Sequence, residues 1–209
     1  MPTPSPRNRT RDKIIAAARK LMSEKDILEV SISEITRQAG TNIASVSYHF
    51  GGREGLMVSI ARDDAAHALE ALDRLIAADM SPPDKIAHHV AAMVRAFHER
   101  PYLHRLLHKL LREGSRETTA VVTDFFSRPV ADARRRIIEE GVAQGLFRSV
   151  EPELVGYAIE GACGHIFNSP ASRSAVFGEG TLDPVMVERY ANSTAELIVR
   201  GLLAPGVER

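Results

Sequence analysis

Apolar residues recur at intervals of three and four along most of the chain, which is the spacing of one face of an α-helix. In residues 8–25, for example, Ile14, Ala18 and Leu21 fall on one face, while Arg11 and Arg19 fall on the other. No segment of the sequence alternates apolar and polar residues between hairpin turns. The pattern therefore predicts an all-α protein.

Glycine, proline and capping residues divide this pattern into about nine helices. Ser31 followed by Glu34 is a capping box that starts a second helix, which is expected to end at Gly40. Thr41 or Asn42 can cap a short third helix that runs to about residue 49. The later helices are expected near residues 53–78, 83–100, 101–113, 116–145, 152–168 and 184–203, with a kink or division at Pro129 and the stretch 169–183 as punctuation.

Residues 31–50 fit a helix-turn-helix, in which two short helices are joined by a tight turn that contains a glycine. The small Ala39 and Gly40 permit the two helices to approach closely. The expected inward positions are apolar and are Ile32, Ile35, Ala39, Ile43, Val46 and Phe50. The outward positions of the third helix form a short surface of a size that enters a DNA groove, and they are Asn42, Ala44, Ser45, Ser47, Tyr48 and His49.

Charge is distributed unevenly, although the formal net charge is zero. Residues 1–62 contain ten Lys or Arg against six Asp or Glu, a net charge of +4. The remaining residues contain 17 basic against 21 acidic side chains, a net charge of −4. The sequence thus combines a basic N-terminal module with an acidic body, which favours a nucleic-acid partner for the module.

The sequence contains no apolar run of about 18 to 20 residues that would span a bilayer, and its start is polar and rich in proline. A cytoplasmic location without membrane contact is therefore expected. Cys163 is the single cysteine, which excludes an internal disulfide and a cysteine-based zinc site. We expect apolar packing alone, with no metal and no cofactor, to hold the fold.

Residues 39–56, AGTNIASVSYHFGGREGL, resemble the signature of the tetracycline-repressor-like (TetR) family. The similarity of motifs extends over about residues 9–60. It implies a DNA-binding domain at residues 1–52 and a helical effector-binding and dimerisation domain at residues 53–209. Such a protein is a transcriptional regulator, most often a repressor, and not an enzyme. It binds a palindromic double-stranded DNA operator as a homodimer and releases it when a small-molecule effector binds.

The resemblance also implies roles for individual residues of the module. Tyr48, His49 and Arg53 match positions that contact phosphates, which set register without reading sequence. The third helix has no Arg or Lys, so bidentate guanine recognition is absent there. Ala44 is instead a candidate to meet a thymine methyl, and a flexible arm at residues 4–11 is a candidate to place Arg7 or Arg9 in an adjacent minor groove. The positions that face base edges or flanking sugars are Ser33, Asn42, Ile43, Ala44, Ser45 and Ser47, and Ser31 joins them although it is primarily a helix cap. Of these, Asn42 and Ser45 are the principal expected base readers.

In the body, the resemblance assigns the last two long helices to a four-helix dimer bundle. Three glycines in residues 152–168 suggest a close helix approach there. The expected dimer residues are Leu154, Ala158, Ala162, Ile166, Met186, Tyr190, Leu197 and Ile198. The expected effector contacts are apolar, aromatic and imidazole side chains, namely Phe97, Tyr102, His104, Leu107, His108, Phe125, Phe126 and Tyr157.

Three other interpretations remain open on the residues alone. His104 and His108 are four residues apart, with His98 nearby, which is an acceptable spacing for a metal sensor. The second interpretation is a small helical enzyme that acts on an apolar substrate. The sequence contains no nucleophile elbow, phosphate loop or zinc-protease motif to support it, and Cys163 lies in an apolar stripe. An architectural DNA binder without a ligand would need less chain than this body provides.

Overall fold

The computed structural model describes residues 6–24, 29–178 and 182–207, and within them the chain forms eleven α-helices. The all-α prediction is confirmed. The helices are α1 Pro6–Glu24, α2 Ile32–Ala39, α3 Ala44–Phe50, α4 Arg53–Ala77, α5 Pro82–Glu99, α6 Pro101–Glu113, α7 Arg116–Val122, α8 Arg128–Ala143, α9 Pro152–Asn168, α10 Pro170–Phe177 and α11 Pro184–Leu202. None of these helices is long and apolar enough to cross a membrane.

The expected division near Pro129 is present, and one further helix, α10, was not expected. The expected helix at 116–145 is divided by a π-helical turn at Thr123–Ser127, and α8 then begins with Pro129 in its first turn. Proline has no backbone N–H to continue the α-helical ladder, so a wider turn accommodates it. The short helix α10 forms in the stretch that was expected to lack a helix. The first glycine of this stretch is Gly178, directly after α10, so no glycine interrupts the helix.

The expected flexible arm at residues 4–11 is also different, because α1 already begins at Pro6. A proline is compatible with the first turn of a helix, where its missing N–H would have no partner in any case. Arg9 is therefore a helical, exposed residue. Pro4, Ser5 and the side chain of Arg7 lie outside the described residues.

The chain divides into two compact units. Unit 1 contains the described residues up to Ala66 together with Pro101–Phe125, and unit 2 contains His67–Arg100 and Phe126 onward. The division by packing thus differs from a boundary after residue 52, because the first half of α4 and all of α6 and α7 pack with the three N-terminal helices. The functional boundary after residue 52 stays a prediction.

Each unit has an apolar interior. In unit 1, α1, α2 and α4 bury side chains that the apolar periodicity predicted, among them Ile14, Ile35 and Ile60. In unit 2, α5, α8, α9 and α11 surround a core in which α5 and α11 make the most extensive contact. Cys163 belongs to this core, and burial raises the pKa of its thiol to about 12. A protonated, buried thiol agrees with packing and disfavours a nucleophile.

Candidate nucleic-acid interface

The capping box that starts α2 is present in full. The Ser31 N–H donates to Glu34 Oε2 at 3.0 Å, and the Glu34 N–H donates to Ser31 Oγ at 3.2 Å. At the other end, Gly40 adopts a left-handed conformation with φ 64°, and its N–H bonds the Arg37 carbonyl. A residue with a Cβ is strained in that conformation, so glycine fixes where α2 ends. Ser33, another predicted DNA contact, is exposed on this helix.

Asn42 caps α3, which confirms one of the two expected caps. Ile43, which precedes α3, has helical angles, φ −60° and ψ −36°, and its side chain makes no capping hydrogen bond, so the side-chain cap comes from Asn42. Its Oδ1 accepts the N–H and the hydroxyl of Ser45, both at 2.9 Å. The backbone N–H can only donate, so this contact also fixes which atom of the Asn42 amide is the oxygen. The cap orients both residues that were predicted to read bases.

The outward face of α3 is partly apolar. Val46 is buried, whereas Ala44, Ser47 and Tyr48 are exposed. Ile43 was expected among the inward positions, and this was wrong, since 58% of it is exposed. Ile43 directly follows the Asn42 cap. At this position its side chain faces solvent, whereas that of Val46, three residues later, faces the core of unit 1.

The three predicted phosphate contacts lie at the end of α3 and the start of α4. Tyr48 is 67% exposed, and its ring meets the His49 ring edge-on with centroids 5.0 Å apart. His49 is half-buried. Arg53 donates from Nη1 to the Val30 carbonyl at 2.6 Å, and its Nη2 lies 4.0 Å from Glu29. Arg53 thus has a structural contact that joins α4 to the segment before α2. The sequence did not predict this contact.

Further contacts within unit 1 attach α6 and α7 to the same region. Lys109 on α6 binds the Glu29 carboxylate, and this hydrogen bond lowers the pKa of Glu29. Glu54, next to Arg53 on α4, accepts the N–H of Ser115 at 2.7 Å, a bond that lowers the pKa of Glu54. The helix-turn-helix is therefore braced by residues that follow it by more than fifty positions.

A buried polar cluster joins three helices in the interior of unit 1. Asp64 on α4 is buried, and its Oδ1 lies 2.7 Å from Nη2 of Arg19 on α1. Its other oxygen accepts the hydroxyl of Tyr102 on α6 at 2.7 Å. A buried carboxylate is stable only when its oxygens are matched in this way. Tyr102, which was predicted to contact an effector, uses its hydroxyl within this cluster.

The predicted effector contacts divide between the two units. Tyr102, His104, Leu107, His108 and Phe125 belong to unit 1, and Phe97, Phe126 and Tyr157 belong to unit 2. They therefore do not form one cluster inside either unit, and their role stays a prediction.

The His104 and His108 rings are in contact, with centroids 4.5 Å apart. Burial, followed by the neighbouring His108, lowers the pKa of His104 to about 4. Among the residues that the structure describes, no group of three His, Cys, Asp or Glu side chains is placed to hold a metal ion.

The predicted dimer residues fall into three groups. Leu154, Ala158 and Leu197 are exposed, as is Tyr157, which lies beside Ala158 on α9 and was predicted to contact an effector instead. Ala162, Met186, Tyr190 and Ile198 are half-buried. Ile166 is buried within the single chain.

One of the three glycines of α9 has an intramolecular reason. A Cβ on Gly156 would lie 3.0 Å from Nη1 of Arg134, whereas a Cβ on Gly161 would meet nothing within 4 Å. Close approach inside the chain, and not a dimer contact, therefore explains Gly156.

Unit 2 also contains a buried charged cluster that the sequence did not reveal. Arg134 on α8 donates from Nε to His89 Nε2 at 3.0 Å, and from Nη1 to Glu160 at 2.8 Å. Burial, and then the Arg134 guanidinium, lower the pKa of His89 to about 3. His89 is thus a neutral acceptor. Its partner lies 45 residues away, so no local pattern distinguishes it from the exposed His88.

Taken together, an all-helical chain with a doubly capped helix-turn-helix and small, exposed side chains on its second helix has the architecture of a DNA-binding regulator. Comparison with known proteins then specifies the family. Residues 14–60 match the family described as bacterial regulatory proteins, tetR family, and residues 79–208 match the tetracyclin repressor-like C-terminal domain. The chain belongs to the TetR family of bacterial regulatory proteins.

Individual relatives agree with this assignment. The chain is 28% identical over 143 residues to the HTH-type transcriptional repressor NicS of Pseudomonas putida. This match covers 68% of this chain and 67% of NicS. Its fold is similar to that of a tetR-family regulatory protein from Rhodococcus, with a TM-score of 0.75 at 22% identity over 93% of this chain and 97% of that one. It is also similar to FadR from Bacillus subtilis in complex with stearoyl-CoA, with a TM-score of 0.72 at 18% identity over 91% and 98%.

Proposed function

We propose that this protein is a ligand-responsive transcriptional repressor that binds a palindromic operator as a homodimer and is released by a small-molecule effector. The observation that carries the proposal is the exposed outer face of α3, held by the Asn42 cap and ending at Tyr48 beside the start of α4. A helix-turn-helix presents such a face to the major groove. The name of NicS, a repressor, supports the direction of regulation.

In this proposal the phosphate contacts come from the end of α3 and the start of α4. The exposed Tyr48 hydroxyl and the half-buried His49 ring donate to phosphate oxygens, and Arg53 adds its charge from the position where Val30 and Glu29 hold it. Since phosphates carry no sequence information, these contacts set the register of α3 on the duplex.

The proposed dimer surface lies on α9 and α11 of unit 2. Leu154, Tyr157, Val185 and Leu197 are each more than 60% exposed there. A soluble chain rarely leaves this many large apolar side chains exposed on neighbouring helices unless a partner covers them. A second copy is the partner that places two recognition helices on successive major grooves, about 34 to 36 Å apart.

Effector release follows if the effector binds better to a conformation in which the two recognition helices have the wrong spacing. Operator affinity then falls by the ratio of the effector's affinities for the two conformations. FadR holds stearoyl-CoA on a similar fold, so acyl-CoAs of several chain lengths are sensible first probes. The C-terminal domain is the expected site of the effector.

The test is selection of bound sites from random duplex DNA by the full chain. The proposal expects an enriched palindrome with half-sites about one helical turn apart. Binding should also weaken steeply as salt increases, because phosphate contacts release counterions. The exposed Tyr48 hydroxyl gives a matched pair, in which Tyr48→Phe weakens binding to every sequence alike, whereas Ser45→Ala alters sequence preference. No enrichment, or a flat response to salt, would contradict the proposal.

A further inference from the structure

The start of α3 is unusual in how its polar atoms are used. The oxygen of the Asn42 amide accepts two hydrogen bonds from Ser45, one from the backbone and one from the hydroxyl. An amide oxygen has two lone pairs, so both are occupied. Recognition of adenine by an asparagine requires this oxygen to accept the adenine amino group while the amide nitrogen donates to N7. Asn42 therefore offers donors alone, and bidentate adenine recognition is lost unless the cap is broken.

Ser45 is restricted in the opposite sense. Its hydroxyl proton is directed to Asn42 Oδ1 at 2.9 Å, so toward a base its oxygen can act only as an acceptor. The cap thus leaves the Asn42 amide only as a donor toward a base and the Ser45 hydroxyl only as an acceptor. While the cap is intact, neither residue can form a bidentate pair with a base.

Apart from Ser47, the remaining exposed side chains around the start of α3 are apolar. Ile43 is 58% exposed, and Ala44, which follows it, is exposed as well. In a helix-turn-helix the N-terminal residues of the second helix are those that meet base edges. The C5 methyl group of thymine is the only apolar group that the four bases present in the major groove.

From this arrangement we infer that Ile43 and Ala44 read thymine methyl groups in each half-site, and that this apolar contact is the main source of base specificity in α3. The inference rests on the proposed function, because it requires DNA binding by the helix-turn-helix. It extends the sequence-based expectation of a thymine methyl contact at Ala44 to Ile43, and it differs from that expectation in that Asn42 and Ser45 are no longer the principal base readers. Both instead become positioning residues that present the two apolar side chains.

Deoxyuridine gives a direct test, because it differs from thymidine only by the absence of the C5 methyl group. After a site has been selected with the full chain, each thymine of a half-site is replaced in turn by deoxyuridine, and affinity is measured at constant salt. Loss of one contacted methyl should weaken binding about four-fold, and loss of the pair in both half-sites about fifteen-fold. Thymines outside the contacted positions should show no change.

The Ile43→Ala variant identifies the side chain involved. Ile43 is largely exposed, so this variant should melt at the same temperature as the natural protein. It should bind the thymine site more weakly and lose the deoxyuridine effect at the thymine that Ile43 contacts, since the partner of that methyl is gone, while the effect at the thymine that Ala44 contacts is retained. Val142→Ala removes the same kind of exposed apolar surface from α8 and should retain the full sensitivity.

The outcomes separate this inference from the function on which it rests. If the chain selects a site but no thymine shows a deoxyuridine effect, base reading by Ile43 and Ala44 is wrong while the repressor function stands. If Ile43→Ala retains the deoxyuridine effect at every thymine, Ile43 reads no methyl and the inference also fails. If the chain selects no DNA at all, the proposed function fails and the inference fails with it.

Discussion

The Tyr102 hydroxyl donates a 2.7 Å hydrogen bond to Asp64 Oδ2 in the interior of unit 1, and this bond connects α6 to α4. The other oxygen of Asp64 lies 2.7 Å from Arg19 on α1. One buried carboxylate therefore fixes the relative positions of three helices. Since α1 packs on α2 and α3, the same carboxylate supports the helix-turn-helix without belonging to it.

We predict that Tyr102→Phe lowers the free energy of unfolding by about 1 to 3 kcal/mol, because it removes one donor from a buried carboxylate. Urea unfolding followed by circular dichroism measures this loss. Asp63→Asn, at the half-exposed neighbouring carboxylate, is the control and should cost no more than about 1 kcal/mol. An equal effect of both variants would mean that the Tyr102–Asp64 bond does not stabilise the fold.

The cap of α3 gives a second prediction. Asn42→Ala should destabilise the protein by about 1 kcal/mol, since the first turn of α3 loses its acceptor. Asn42→Ser retains an oxygen that can cap the helix and should cost much less. Thermal unfolding distinguishes the two variants, and equal melting temperatures would show that the cap is energetically unimportant.

His89 gives a prediction about pH. Its folded pKa of about 3 lies below its ordinary value of 6.5, so the unfolded chain binds more protons between these values. The stability due to neutral His89 is therefore complete above pH 6.5 and is lost as the pH falls toward 3, with a slope of about 1.4 kcal/mol per pH unit. His104, with a pKa of about 4, contributes in the same direction.

Urea unfolding at a series of pH values measures this slope. His89→Gln keeps an acceptor for Arg134 but cannot titrate, so its stability should fall less steeply between pH 6.5 and 4 than that of the natural protein. The adjacent and exposed His88 provides the control, and His88→Gln should leave the slope unchanged. Identical slopes for all three proteins would contradict the assigned protonation of His89.

The proposed dimer surface is tested by charge. Leu197, at 74% exposed, should tolerate Glu within the monomer, but a pair of carboxylates at a dimer interface would be costly. Leu197→Glu is thus expected to convert a dimer to a monomer in sedimentation experiments. Val142→Glu, on α8, should remain dimeric. A dimeric Leu197→Glu variant would place the interface elsewhere, and a monomeric natural protein would contradict the proposed homodimer.

Local features of the fold could be predicted from the sequence, and distant contacts could not. The Ser31 and Asn42 caps each depend on a partner three residues away, so both were predictable. Arg53 binds a carbonyl 23 residues earlier, and Arg134 binds a histidine 45 residues earlier. No local periodicity encodes such pairs, because they depend on how whole helices pack.

The exposure of Ile43 shows the same limit on a smaller scale. Its apolar character suggested the core, but its direction depends on where the helix begins. Once Asn42 is fixed as the cap, the residue that follows it points outward. The apolar pattern alone does not specify the phase of so short a helix.

The buried thiol of Cys163 has a practical consequence for labelling. Because its pKa is raised to about 12 and its side chain lies in the core, reagents that require a thiolate will spare it. A cysteine introduced at an exposed position of α1 will therefore take up one spectroscopic probe per chain, with no need to remove the natural residue. In a two-fold assembly the two probes report the separation of the two α1 helices, against which the recognition helices α3 pack, with and without a candidate effector.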